Sequence, residues 1–214
     1  MKKKNKDLVA AICIITAFVI WTVLVCLVDV DEVGPECSSV GFSTINIFIH
    51  KLTGVNMTLY NITDWLGLVP VAFAAGFGFL GLFQLIKRKN LKKVDYDVLV
   101  LGGFFIVVII VYFLFEIIVI NYRPVLINGC LETSYPSSTT MLVLSVMSVS
   151  VMQLNSRIKN NAVKRCVIGM ILVFIAFMVI GRFCSGVHWI SDIIGGALVS
   201  MGLVMLYRYF VNLK

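Results

Sequence analysis

Apolar residues gather into six runs near twenty long, at about 8–28, 66–86, 98–120, 137–154, 167–184 and 189–210, with short polar stretches between them. A hydrocarbon core of about 30 Å takes about 20 apolar residues of helix to cross, so each run predicts one transmembrane span. The predicted fold class is all-α, a polytopic membrane protein of six helices in one bundle, forming a single domain over residues 1–214. The opening KKKNK and the run at 8–28 have the layout of a signal peptide. The run is too long and lacks a small-residue cleavage site, which predicts an uncleaved first span.

Composition agrees with that pattern. Of the 214 residues, 60% are hydrophobic and 14% charged, with a mean hydropathy of +1.00. No soluble domain fits, because the longest polar-containing segment runs only over about 29–65. The net charge of +7 is laid out as a topology signal rather than as a nucleic-acid surface. Lys2, Lys3, Lys4 and Lys6 precede the first span, and Lys87, Arg88, Lys89, Lys92 and Lys93 follow the second. Arg157, Lys159, Lys164 and Arg165 follow the fourth, and Arg208 and Lys214 close the chain. These are 15 of the 18 Lys and Arg, leaving Lys51, Arg123 and Arg182 on the other side. The positive-inside rule then predicts both termini in the cytoplasm, and the small size favours a bacterial cell membrane.

The first outer loop mixes apolar and polar residues over 40–59, which predicts a short interfacial helix with Tyr60 and Trp65 at headgroup level and His50 facing the headgroups. Small residues in AAGFGFLGL predict close helix packing in the second span. No internal repeat is present, which weighs against a transporter built from repeated halves. The six cysteines show neither C-x-x-C pairs nor metal spacing with histidine, so no metal site is predicted. Cys13, Cys26, Cys166 and Cys184 read as small packing residues, while Cys37 and Cys130, both in outer loops, are candidates for a disulfide.

Chemistry concentrates in Gly181–Asp192, GRFCSGVHWISD, between the last two spans. Ionisable groups beside membrane spans are expensive, which favours function over decoration. At helical pitch Asp192 lies one turn from His188 and can orient its ring, leaving the second ring nitrogen free as base or nucleophile. Arg182 adds a permanent forked donor suited to phosphate oxygens. Nucleophile, orienter and anion clamp together predict phosphoryl transfer. On the same outer face, the third span ends in Glu116 and then Arg123-Pro124, and Pro136-Ser137-Ser138-Thr139 opens the fourth span with free N–H groups able to hold an anion.

These segments, taken in order, resemble the type-2 phosphatidic-acid phosphatase superfamily of integral membrane lipid phosphatases. Its motifs are K-x(6)-R-P, then P-S-G-H or P-S-S-H, then S-R-x(5)-H-x(3)-D, and the six-span layout is similar too. The resemblance implies that His188 attacks phosphorus to form a phosphohistidine, that Asp192 orients it, and that Arg123 and Arg182 hold the phosphate oxygens. It implies further that Ser137 and the backbone N–H of Ser138 complete the cradle, with no metal or cofactor required.

The chain departs from that pattern at three positions. Gly181 replaces a serine. Glu116, seven residues before Arg123, stands where the family has a lysine, and Thr139 stands where it has the histidine that protonates the leaving oxygen. Loss of a general acid costs about 10²–10⁴ in rate. The loss matters less when the leaving group is itself a phosphate, so a membrane lipid diphosphate such as a polyprenyl diphosphate is the expected substrate. Glu132 and His50 are candidate replacement acids, and Glu116 is accommodated if it is protonated or if it pairs with Arg123 or Arg182. The alternative expectation is a pseudo-phosphatase that binds lipid phosphate headgroups without turnover.

Overall fold

The computed structural model describes residues 2–213; Lys214, and the side chains of Lys2, Lys3 and Lys4, lie outside the described residues. Six helices are long and apolar enough to cross a membrane: Asn5–Leu27, Met57–Arg88, Tyr96–Ile117, Ser138–Arg157, Asn161–Cys184 and Ile190–Val211. Within them, α1 is Lys2–Leu27, α4 Leu68–Arg88, α5 Tyr96–Ile117, α8 Asn161–Cys184 and α9 Ile190–Val211. The fourth span is built of α6 (Ser138–Leu142), one π-helical turn at Val143–Met147 and α7 (Ser148–Arg157). The chain is all-helical, as expected, and no strand is present among the described residues.

Two spans are enclosed by the others. In Ser138–Arg157 and Ile190–Val211, 56% of the most apolar window is buried, against 11–22% in the remaining four. That explains why Ser138–Arg157 has a hydropathy of only 1.2 when Tyr96–Ile117 reaches 3.1. A helix surrounded by protein needs no lipid-facing side, whereas α5 presents Ile106, Ile110, Phe113 and Ile117 outward. The α1–α9 contact is tightened at Gly202, where a Cβ would lie 2.7 Å from Ile15 Cγ1. Phe18, Val25, Phe104, Tyr135, Leu203 and Tyr207 form the buried apolar cluster around this contact. In the second span the small-residue reading is met only at Gly81, which faces Val98; Gly76 and Gly78 face open space.

Two short helices precede α4: α2, Ser43–Thr53, and α3, Met57–Leu66. The expected interfacial helix is therefore split at Gly54, and it is not simply laid on the surface. Asn46 of α2 and Tyr60 of α3 are buried. Trp65 remains exposed, in keeping with a headgroup position, but Tyr60 does not. His50 tilts against Trp189, with ring centroids 5.4 Å apart, and its burial holds the imidazole below its ordinary pKa. All six cysteines are free and exposed, so Cys37 and Cys130 are unbonded and Cys13, Cys26, Cys166 and Cys184 do not fill the interior as expected.

The helices sort charge between the two ends of the bundle. Arg88–Asp95 at 2.7 Å, Arg157–Asp97 at 2.6 Å and Arg208–Asp7 at 3.4 Å pair at one end. The last turns of α5 and α8 and the first turns of α6 and α9 meet at the other, where the motif residues lie.

Candidate active site

His188 sits on no helix. It lies in the linker between α8 and α9, which Gly186 turns at φ +64°, packed so closely on Gly54 that a Cβ would meet its carbonyl oxygen at 1.8 Å. Asp192 occupies the first turn of α9 and reaches back to accept the Trp189 N–H at 3.0 Å, closing that helix start. The helix-pitch argument for the pair therefore gives the right neighbours for the wrong reason. His188 Nδ1 and Asp192 Oδ2 are 3.8 Å apart, too far for a hydrogen bond.

Ser134 fills the gap. Its hydroxyl lies 3.1 Å from His188 Nδ1 and donates to Asp192 Oδ2 in a short hydrogen bond. A hydroxyl has one proton, and an ionised carboxylate only accepts, so the Ser134 proton belongs to Asp192. The serine oxygen must then accept from Nδ1–H, which leaves the Nε2 lone pair free. The other carboxylate oxygen of Asp192 takes Asn121 Nδ2 at 3.2 Å and Ser191 Oγ at 3.4 Å. Asn46 fixes Ser191 in turn: its Nδ2 donates to Ser191 Oγ at 2.9 Å, and its Oδ1 accepts Ser191 N–H at 3.2 Å. Asp192 is completely buried, and this set of donors compensates its lost hydration.

A hairpin strap brings Ser134 to the histidine. Between α5 and α6 the chain reverses at Asn128-Gly129, both with positive φ, and Ile127 and Cys130 bond each other across the turn. Arg123 N–H then pairs with Glu132 O at 3.0 Å and Ser134 N–H with Asn121 O at 2.9 Å. Arg123, Glu132 and Ser134 are thereby held together beside His188.

Both arginines are buried, Arg182 with 1% of its side chain exposed and Arg123 with 10%. Arg182 Nη2 contacts Asp64 Oδ1 at 2.7 Å and donates a short hydrogen bond to Thr139 Oγ1. Arg123 Nε lies 3.2 Å from Glu132 Oε2. The Tyr60 ring receives both guanidiniums, at 4.8 Å from Arg182 and 5.6 Å from Arg123, which offsets part of the charge burial. Arg123 Nη1, Arg182 Nε and Nη1, and His188 Nε2 are buried without a hydrogen-bond partner. All three residues border one cavity of about 480 Å³. The three guanidinium nitrogens are orphaned buried donors, which are expensive, so their convergence beside the free Nε2 lone pair marks a place built for a ligand rich in acceptors. Burial lowers the His188 pKa to about 4, the nearby guanidiniums adding to the effect, so its ring is neutral at pH 7.

Residues 118–214 match the PAP2 superfamily. The matched segment includes Arg123, Ser137, Ser138, Thr139, Arg182, His188 and Asp192, whereas Glu116, Asp64, Tyr60 and Asn46 precede it. The fold as a whole also has a solved counterpart. It is similar to the crystal structure of the first transmembrane PAP2 type phosphatidylglycerolphosphate phosphatase from Bacillus subtilis, with a TM-score of 0.61 and 17% sequence identity. That likeness covers 95% of this chain and 96% of the Bacillus chain. No curated protein matches the chain.

Gly181, Thr139 and Glu116, the three expected departures from the motifs, each have a defined environment. At Gly181 there is no room for the serine side chain, because a Cβ would stand 2.7 Å from Thr63 Cγ2 on α3. Thr139 borders the cavity but is engaged by Arg182. Glu116 also borders the cavity and accepts from Thr133 Oγ1 at 3.1 Å; it pairs with neither Arg123 nor Arg182. Of the candidate replacement acids, Glu132 lines the cavity and His50 does not. Of the two serines expected to complete a phosphate cradle, Ser138 lines it and Ser137 does not. The Ser137 hydroxyl pairs with Thr140 Oγ1 at 3.0 Å, and its N–H is taken by Asp192 O at 3.0 Å.

Sequence reasoning missed Ser134, Asn121, Asn46, Tyr60 and Asp64. The Asn128-Gly129 dipeptide is a hairpin signal that would have brought Ser134 and Glu132 back to Arg123. Asn46, an amide among the apolar residues of INIFI, was the other available sign.

Proposed function

We propose that this protein is a membrane lipid phosphatase that removes a terminal phosphate through a phosphohistidine on His188, with a lipid diphosphate such as a polyprenyl diphosphate as its preferred substrate. The convergence of unpartnered nitrogens from His188, Arg123 and Arg182 on one cavity carries this reading. In the first half-reaction the Nε2 lone pair attacks the terminal phosphorus, the bridging P–O bond breaks, and the lipid monophosphate leaves with the electron pair. Positive charge develops on the ring and is received through Nδ1–H, Ser134 and Asp192. Arg123 and Arg182 hold the equatorial oxygens, with Ser138 beside them at the start of α6. Thr139 cannot protonate a leaving group at neutral pH, and a departing phosphate does not need the proton that an alkoxide would. The basic clusters after α4 and α7 lie at the end opposite the site. The positive-inside rule thus turns the cavity outward and both termini to the cytoplasm of a bacterial cell.

The test is phosphate release by purified protein in detergent from farnesyl diphosphate and from phosphatidic acid, beside His188→Ala. Release from the diphosphate that disappears in the variant is expected. Lipid-phosphate binding with no release from either substrate would leave a pseudo-phosphatase, and faster release from phosphatidic acid would refute the diphosphate preference.

A further inference from the structure

Three carboxylates border the cavity, and they are not equivalent. Asp64 and Glu132 are each engaged by a guanidinium, at 2.7 Å and 3.2 Å. Glu116 has no ion pair among the described residues; its partners are neutral hydroxyls, Thr133 donating to it at 3.1 Å and the Tyr112 phenol one turn back on α5 also engaging it. Thr133 is the chain neighbour of Ser134, which receives the His188 ring at 3.1 Å. Adjacent Cα atoms are about 3.8 Å apart, so one two-residue segment of the strap ties both Glu116 and His188 to the same cavity. Glu116 is also exposed, in the last turn of α5 at the end of the span.

The phosphohistidine of the proposed function must be hydrolysed, and that step needs a base. Resting on that reading, we infer that Glu116 is the general base of the second half-reaction. A water occupies the space vacated by the leaving group and its oxygen attacks phosphorus in line. The P–Nε2 bond breaks and its electron pair returns to His188, which becomes a neutral imidazole again with Nδ1–H still on Ser134. The water proton passes to the Glu116 carboxylate and from there to solvent, and inorganic phosphate departs. An ammonium at this position could not accept that proton; a carboxylate can. The two departures from the PAP2 motifs thus fit together. A leaving phosphate makes the acid at position 139 dispensable, and the base that hydrolysis of the intermediate needs comes from position 116.

The test follows the two half-reactions separately, using purified protein in detergent and farnesyl diphosphate labelled in the terminal phosphate, quenched in alkali to preserve phosphohistidine. In Glu116→Gln the first turnover of farnesyl monophosphate stays at the wild-type rate. Labelled protein accumulates, and steady phosphate release falls by about 10²–10⁴, the usual range for loss of a general base. Glu116→Asp, which keeps the carboxylate, recovers part of that rate and shows that the effect is not misfolding. If Glu116→Gln slows both half-reactions equally and no labelled protein builds up, the residue only binds or positions and the inference is overturned. A wild-type protein that turns over without forming any phosphohistidine, with His188→Ala still active, would overturn the proposed function and this step with it.

Discussion

Replacing Ser134 by alanine tests the proton path on which the nucleophile depends. The serine is 3% exposed and its hydroxyl bridges the 3.8 Å between His188 Nδ1 and Asp192 Oδ2. Alanine removes both bonds and leaves Nδ1–H facing a methyl group. A hydrogen bond to a charged group is worth about 1.5–3 kcal/mol, and about 1.4 kcal/mol is tenfold in rate. In the proposed mechanism the ring becomes cationic only as it attacks, so the loss falls on the transition state. The expected result is a fall in kcat of roughly 10–150-fold, with KM for farnesyl diphosphate moving much less. The double variant Ser134→Ala/Asp192→Asn sharpens the test: if the carboxylate acts through the hydroxyl, the pair is no slower than Asp192→Asn alone. A fall in kcat of less than about threefold, or losses that multiply in the double variant, would refute the relay.

Other expectations follow from burial and packing. With His188 held at a pKa of about 4, kcat/KM loses its nucleophile only as pH falls through about 4, where the ring gains a proton. A histidine limb near pH 6.5 in the pH profile would contradict the buried, neutral ring. Gly181→Ser crowds Thr63 and should lower stability by about 1–3 kcal/mol in thermal unfolding, and Thr63→Ser, which deletes the opposing methyl, should restore most of it. Tyr60→Leu removes a ring that faces both arginines, each contact worth about 0.5–2 kcal/mol, so KM for a phosphate substrate should rise severalfold while Tyr60→Phe leaves it nearly unchanged.

The parts of this molecule that were legible in the sequence are those fixed by local rules. The spans follow from helix length against bilayer thickness, and Arg123, Ser138, Thr139, Arg182 and His188 follow from motif spacing; the structure brings all of these to one cavity. Ser134 was not legible because its partners lie 54 and 58 residues away, and a serine in a loop ordinarily reads as a turn former. Asn46 reaches Asp192 through Ser191, 145 residues from Asn46, a link that packing of α2 against α9 creates. Tyr60 was misread for a related reason: a tyrosine beside a span has the same sequence environment whether it faces headgroups or two guanidiniums. Ser137 was placed in the cradle by motif position, while locally its hydroxyl had a nearer partner in Thr140, one helical turn ahead.

The carboxylates that sit on the two arginines also set which lipids can compete for them. Asp64 and Glu132 are about half in water, with 56% and 41% of their side chains exposed, while the guanidiniums they touch are buried. A phosphodiester headgroup carries one negative charge, so in displacing one of these carboxylates it exchanges a monoanion for a monoanion and gains little Coulomb energy. A terminal phosphate with two charges can draw on both arginines at once and release both carboxylates to nearby solvent, where they rehydrate. Inhibition of farnesyl diphosphate turnover by a bulk phosphodiester lipid such as phosphatidylglycerol would contradict this. A protein dissolved in phospholipid meets phosphate everywhere, and on the proposed function the resident acids would act as a charge filter that keeps the abundant solvent headgroup from becoming an inhibitor.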